Sequence, residues 1–165
     1  MPRNPAPTPE PTPPPAALPP TVLDRVRANR VGPAAVGLAV AIVVGLLFSV
    51  LVPKESNVLA LILLGALVAA AVGFAVRYLS NVRGTESQII AFVSTAVGIH
   101  LMAVTGSLNG AGGGSLGGLV KVPTIGWDDA LLGALASPMI SSGGFIAGLV
   151  AAMIVGWGPR APKDV

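Results

Sequence analysis

A single histidine, His100, sits inside an otherwise uncharged apolar stretch, Ile89 to Gly106 (IIAFVSTAVGIHLMAVTG). An ionisable group buried at membrane depth is costly. It marks a proton-sensing, haem-facing or quinone-facing position by default. Its place around the helix argues for something plainer. At about 100° per residue, Ser94, Gly98 and Thr105 share one side, while His100 lies opposite with Val93, Val97 and Val104. A neutral imidazole outside any polar stripe is expected to hydrogen-bond a neighbouring helix or reach the outer interface, about 9 Å away by helical rise. His100 is therefore the one intramembrane residue with functional potential, and a structural role is the stronger expectation.

The other chemically suggestive patterns weaken on inspection. Asp128 and Asp129 are adjacent carboxylates. Without a third oxygen ligand or a histidine nearby they suit the start of a helix, where free amides and the dipole favour negative charge. Gly112-x-Gly114-x-x-Gly117 has the form GxGxxG. A dinucleotide site also needs a preceding strand, a following helix and a downstream acid, so these glycines read as a flexible loop. Ser137 to Gly148 (SPMISSGGFIAG) is the most polar break in an apolar block. Broken helices sometimes line a substrate path, though a kink or interfacial elbow is commoner. There is no cysteine, and no HExxH, GxSxG or Walker pattern. The expectation is a protein that is not an enzyme, with no metal and no cofactor.

The elements that must position these residues are membrane spans. The chain is 53% hydrophobic and only 10% charged, against about 25% charge in soluble domains. The apolar residues form unbroken blocks rather than a helical or strand alternation. Pro33 to Val52 is twenty residues without a charge, about 30 Å as a helix, which matches a bilayer's hydrocarbon core. Further spans are expected at Val58 to Val76, Ile89 to Gly106 and Met139 to Trp157. The uncharged block Ala130 to Trp157 is too long for one perpendicular span. Pro138 suggests a short helix from Asp129 to Ala136, capped by Asp128, followed by the span proper; one tilted, kinked helix is the alternative. Thr85 and Gln88 have capping-box spacing for the third span.

The remainder is polar or glycine-rich. Residues 1–20 hold ten prolines and are expected to be a disordered, partly polyproline-II tail. Residues 21–32 form a juxtamembrane helix, with Thr21 as cap and Asp24 in the first turn. Residues 107–127 make a glycine-rich outer loop, and 158–165 a C-terminal tail. With both termini on one side, that side carries Arg3, Arg25, Arg27, Arg30, Arg77, Arg83, Arg160 and Lys163, against Lys54 and Lys121 on the other. This asymmetry puts both termini in the cytoplasm. The bias to Gly, Ala, Val and Pro hints at a bacterial or phage genome, hence a bacterial cytoplasmic membrane.

Small residues recur at four-residue spacing: Gly37, Ala41, Gly45 and Ser49 in the first span; Gly65, Ala69 and Gly73 in the second; Ser94 and Gly98 in the third; Gly144, Gly148 and Ala152 in the fourth. Lipid offers no hydrophobic drive between helices, so such faces are expected to hold the bundle by close van der Waals contact. The fold expected is all-α: a four-span bundle with a disordered tail. Its partners would be the lipid bilayer and other membrane subunits or further copies of itself. The net charge of +3 comes with no basic run and implies no nucleic acid. The function expected is that of an accessory or scaffolding subunit. A pore former, holin-like or a small-solute channel, is the alternative, using the Ser94–Gly98–Thr105 face and the Ser141–Gly144 break. An electron-transport subunit using His100 is a third reading.

Overall fold

The computed structural model describes residues 19–29, 31–52, 58–80, 84–111 and 125–157. These form six helices and no strand: α1 (Val22–Ala28), α2 (Gly32–Ser49), α3 (Val58–Leu79), α4 (Thr85–Ala111), α5 (Trp127–Ala136) and α6 (Pro138–Gly156). Four of them, α2, α3, α4 and α6, are long and apolar enough to cross a membrane. The GxGxxG motif, most of the proline-rich tail, the glycine-rich segment 112–124 and the C-terminal tail lie outside the described residues.

Local chemistry explains each start and stop. α1 carries a full capping box. The Asp24 amide donates to the Thr21 hydroxyl at 3.2 Å, and the Thr21 amide donates to the Asp24 carboxylate at 3.1 Å. The hydroxyl side of this pair and the backbone amide together hold the Asp24 carboxyl below its ordinary value of 3.8. α2 has a proline in its first turn, where a missing N–H costs nothing. It ends at Ser49 rather than running to Val52, and the Leu51 amide turns back to the Phe48 carbonyl at 2.9 Å. Pro53 lies beyond and disfavours helical geometry at Val52.

Two expectations about helix ends are corrected. Thr85 does not cap α4; it is the first helical residue, and the Gln88 amide bonds the Gly84 carbonyl instead. The Gln88 side chain packs against Gly156 of α6. Asp128 does not cap α5. The cap is Gly126, in extended conformation, so both carboxylates stand inside the first turn, near the free amides. The uncharged block does divide into a short helix and a span, at Ser137, so the alternative of a single kinked helix is excluded. Ser137 is extended and caps α6 by accepting from the Ile140 amide, and Pro138 opens the helix rather than kinking it. The Ser141 hydroxyl reaches back across this joint to the Leu135 carbonyl at 3.2 Å.

The four long helices alternate in direction. One end of the bundle gathers α1, the starts of α2 and α4, and the ends of α3 and α6. The opposite end carries α5. Helices α3 and α4 each touch the three other long helices, whereas α2 and α6 do not meet among the described residues. The cross-section is thus a rhombus with α3 and α4 on its short diagonal. Half of the span of α4 is buried, against 28% for each of the others. This makes α4 the hub. It also explains why α4 has the most polar side chains of the four: it presents the least surface to its surroundings.

Candidate functional site

Three features stand out: the glycine seams, the surroundings of His100 and a crevice between α3 and α6. The seams come first because they set the positions of the other two.

In α2 the buried residues are Pro33, Gly37, Ala41, Gly45 and Ser49, one edge at four-residue period. That edge lies against α4. A Cβ placed on Gly45 would stand 2.8 Å from the Gly98 carbonyl oxygen, and one on Gly98 would stand 3.1 Å from the Ala41 carbonyl oxygen. Backbone meets backbone here, which only glycine or alanine permits. Gly37 faces Val76 and Ser94. In α3, Ala69 and Gly73 are buried, and a Cβ on Gly73 would lie 3.2 Å from the Ala151 carbonyl oxygen of α6. In α6, Gly144 and Gly148 face α4, the latter beneath Phe92, whose ring meets Phe145 edge-on at 5.5 Å.

Two residues of the small-residue pattern are placed differently. Gly65 is half-buried, and a Cβ there would meet only the Ile99 side chain, at an ordinary 3.7 Å. Ala152 is half-buried, and the buried edge of α6 passes through Ala147 and Ala151 instead. The α6 edge is broader than a single row and faces both α4 and α3.

His100 does not bond a neighbouring helix. Its Nδ1 lies 2.8 Å from the Ala96 carbonyl oxygen, one turn back on α4. A carbonyl only accepts, so Nδ1 carries the proton in this contact, and Nε2 has no partner among the described residues. The ring rests over Gly144, whose missing side chain makes the room: a Cβ there would sit 3.3 Å from Cε1. One turn further along α4, Val104 packs on Ala130 and Ala134 of α5. His100 thus fills a notch beneath the α5 joint.

Several polar side chains of α4 turn inward. Exposures are 5% for Ser94, 0% for Thr95, 8% for Thr105 and 2% for Asn109. The Thr105 hydroxyl donates to the Leu101 carbonyl at 2.6 Å, and that of Ser49 to the Leu46 carbonyl at 2.7 Å. Such back-bonding satisfies a hydroxyl without help from solvent. Thr95 Oγ1 and Asn109 Oδ1 are buried without a hydrogen-bond partner among the described residues. Thr95 is visible in the sequence as a polar residue of the third span, but Asn109 is not. Asn109 lies in what looks like loop, and α4 extends through it.

At the α1 end two arginines serve as helix caps. Arg77 donates to the Ile154 carbonyl, in the last turn of α6, at 3.0 Å. Arg27 donates to the Tyr78 carbonyl, in the last turn of α3, at 3.0 Å, and its guanidinium lies 4.7 Å from the Tyr78 ring centre. These carbonyls have no partner inside their own helices, and positive charge is favoured there. The basic residues that bias this end of the molecule thereby also fasten α1 to α3 and α3 to α6.

The crevice between α3 and α6 has a volume of about 480 Å³. Its walls come from α3 (Val58 to Ala69) and α6 (Met139 to Val150), and its floor from α4 (Ile99 to Ser107). The helices α3 and α6 touch at Gly73 and Ala151 and splay towards the α5 end. No group of three or more His, Cys, Asp or Glu residues able to hold a metal occurs among the described residues. Comparison of the chain with protein families, curated proteins and solved structures found no match.

Proposed function

We propose that the chain is a multi-pass protein of a bacterial cytoplasmic membrane, with both termini in the cytoplasm, acting as a non-catalytic accessory or scaffolding subunit of a larger membrane assembly. The observation that carries this is the distribution of large apolar side chains. Leu47, Leu63, Phe74, Val93, Ile146 and Met153, on all four long helices, are exposed while the interior is meshed through glycine. Such a surface suits hydrocarbon and apolar neighbours, not water. Arginines at the α1 end and aromatics at both ends (Tyr78 and Trp157 at one, Trp127 at the other) fit the interfaces of a bilayer with that end inside.

The pore reading draws less support. The Ser94–Gly98–Thr105 face that would line an opening is occupied by packing within one chain. The Ser141–Gly144 segment is continuous helix. An electron-transport role would use the free Nε2 of His100, and a visible absorbance spectrum of the purified chain tests it.

The proposal is tested by carbonate washing followed by native electrophoresis after mild detergent extraction. The chain should resist carbonate and migrate well above its 16.4 kDa mass, in an assembly that its deletion destabilises. Release by carbonate, migration as a lone monomer, or dye leakage from liposomes holding the pure chain would overturn it.

A further inference from the structure

The crevice between α3 and α6 is not explained by packing. Elsewhere the glycines of this bundle bring helices together; here they keep them hollow. A Cβ on Gly143 would meet nothing within 4 Å, and one on Gly65, across the gap, would meet only a flexible isoleucine tip. Gly65 and Ala66 on α3 and Gly143 and Ala147 on α6 therefore line an opening rather than a contact.

We propose that this crevice holds one acyl chain of a membrane phospholipid, taken from the leaflet on the α5 side. The inference rests on the reading that the four long helices cross a bilayer. Depth decides between the possible occupants. The walls run from Val58 to Ala69 and from Met139 to Val150, eleven steps on each helix. At 1.5 Å per residue that is about 17 Å, close to half of a ~30 Å hydrocarbon core. Beyond it the walls close, because the Gly73 and Ala151 backbones meet. A crossing helix from a second copy needs a groove of full length, so it does not fit. A chain entering from one leaflet does. The volume, about 480 Å³, is that of a site for a small ligand, in the usual range of about 300–1,000 Å³. The lining is nearly all aliphatic, and its polar side chains are those of Ser107 and Ser142, whose hydroxyls are each already bonded to their own helix. An apolar chain leaves no polar group of the site unpaired.

The test reconstitutes the chain with palmitoyl-oleoyl phosphatidylethanolamine, re-extracts it in mild detergent and counts retained lipid by native mass spectrometry. Gly143→Phe and Gly65→Leu fill the hollow from opposite walls. Leu63→Phe, at a position 57% exposed, alters the outer surface instead. Thermal melts check that each variant folds. The wild type should keep one lipid per chain. Both filling variants should lose it by roughly tenfold or more, and Leu63→Phe should not. No retained lipid, equal retention in every variant, or a second protein copy displaced by Gly143→Phe would each overturn the proposal. A chain that withstands carbonate yet keeps no lipid refutes the crevice alone. One stripped by carbonate refutes the membrane reading beneath it.

Discussion

Replacing glycine by alanine at Gly45 and at Gly143 changes the same atoms in two different settings. In both helices the substitution removes the entropic cost of a helical glycine, about 0.5–1 kcal/mol. At Gly143 the new methyl enters open space, so that gain stands alone. At Gly45 the methyl arrives 2.8 Å from the Gly98 carbonyl oxygen, 3.5 Å from its carbonyl carbon and 3.6 Å from its Cα. These are backbone atoms of the hub helix and cannot rotate aside. Helices α2 and α4 must part by several tenths of an ångström, disturbing the contacts of Ala41, Val68 and Gly98 together. Overpacking of this kind costs about 1–3 kcal/mol. The propensity term cancels between the two variants, so their difference isolates the clash. Gly143→Ala should exceed Gly45→Ala in stability by about 1–3 kcal/mol, roughly 5- to 150-fold in the folding equilibrium. Reversible unfolding in mixed detergent micelles, followed by circular dichroism, measures it. Equal stability of the two variants would refute the claim that backbone contact at Gly45 and Gly98 joins these helices.

Three further outcomes follow from individual side chains. Arg77→Ala leaves the Ile154 carbonyl without its charged donor, a loss of about 1.5–3 kcal/mol for the last turn of α6, and hydrogen exchange at residues 154–157 should accelerate. Thr95→Val removes a fully buried hydroxyl that has no partner among the described residues, so the melting temperature should hold or rise; a loss typical of core truncation would mean that the hydroxyl is bonded. Asp24 has its carboxyl held below 3.8 by Thr21, so the folded state of α1 favours the charged form. Its support for α1 is complete above that value and is lost as pH falls from 3.8 through the lower folded value. Thr21→Val should return the Asp24 titration, read by NMR, to the ordinary range, and an unmoved titration would contradict the capping box.

Much of the fold is legible in the chain because a membrane span is a composition as well as a shape. Twenty uncharged residues leave few alternatives, and the edge Gly37, Ala41, Gly45 is readable because its small residues keep one four-residue period along the whole of α2. The same rule misplaces Ala152, since the buried edge of α6 is broader than a single four-residue row and takes in Ala147 and Ala151. It also misjudges Gly65, where spacing is right but the opposing helix has splayed away. Spacing along one helix carries no information about the distance to another, so the crevice was not legible. Helix ends were misread where hydropathy stood in for hydrogen bonding. α4 runs as far as Ala111, which carries Asn109 into the core although the surrounding Gly and Ser resemble loop. Pro138 marks the division between α5 and α6 correctly, because the first turn is where a helix tolerates proline best.

The account stands on four crossings with the α1 end and the α5 end on opposite sides. The chain has no cysteine, so single substitutions report cleanly. Ala28→Cys and Trp157→Cys mark the α1 end, and Ile125→Cys marks the α5 end, all at exposed positions. In intact cells an impermeant maleimide should label Ile125→Cys alone, with Ala28→Cys and Trp157→Cys labelled only after the membrane is opened. Labelling of all three from one side, or of Ala28→Cys and Trp157→Cys from different sides, would contradict it.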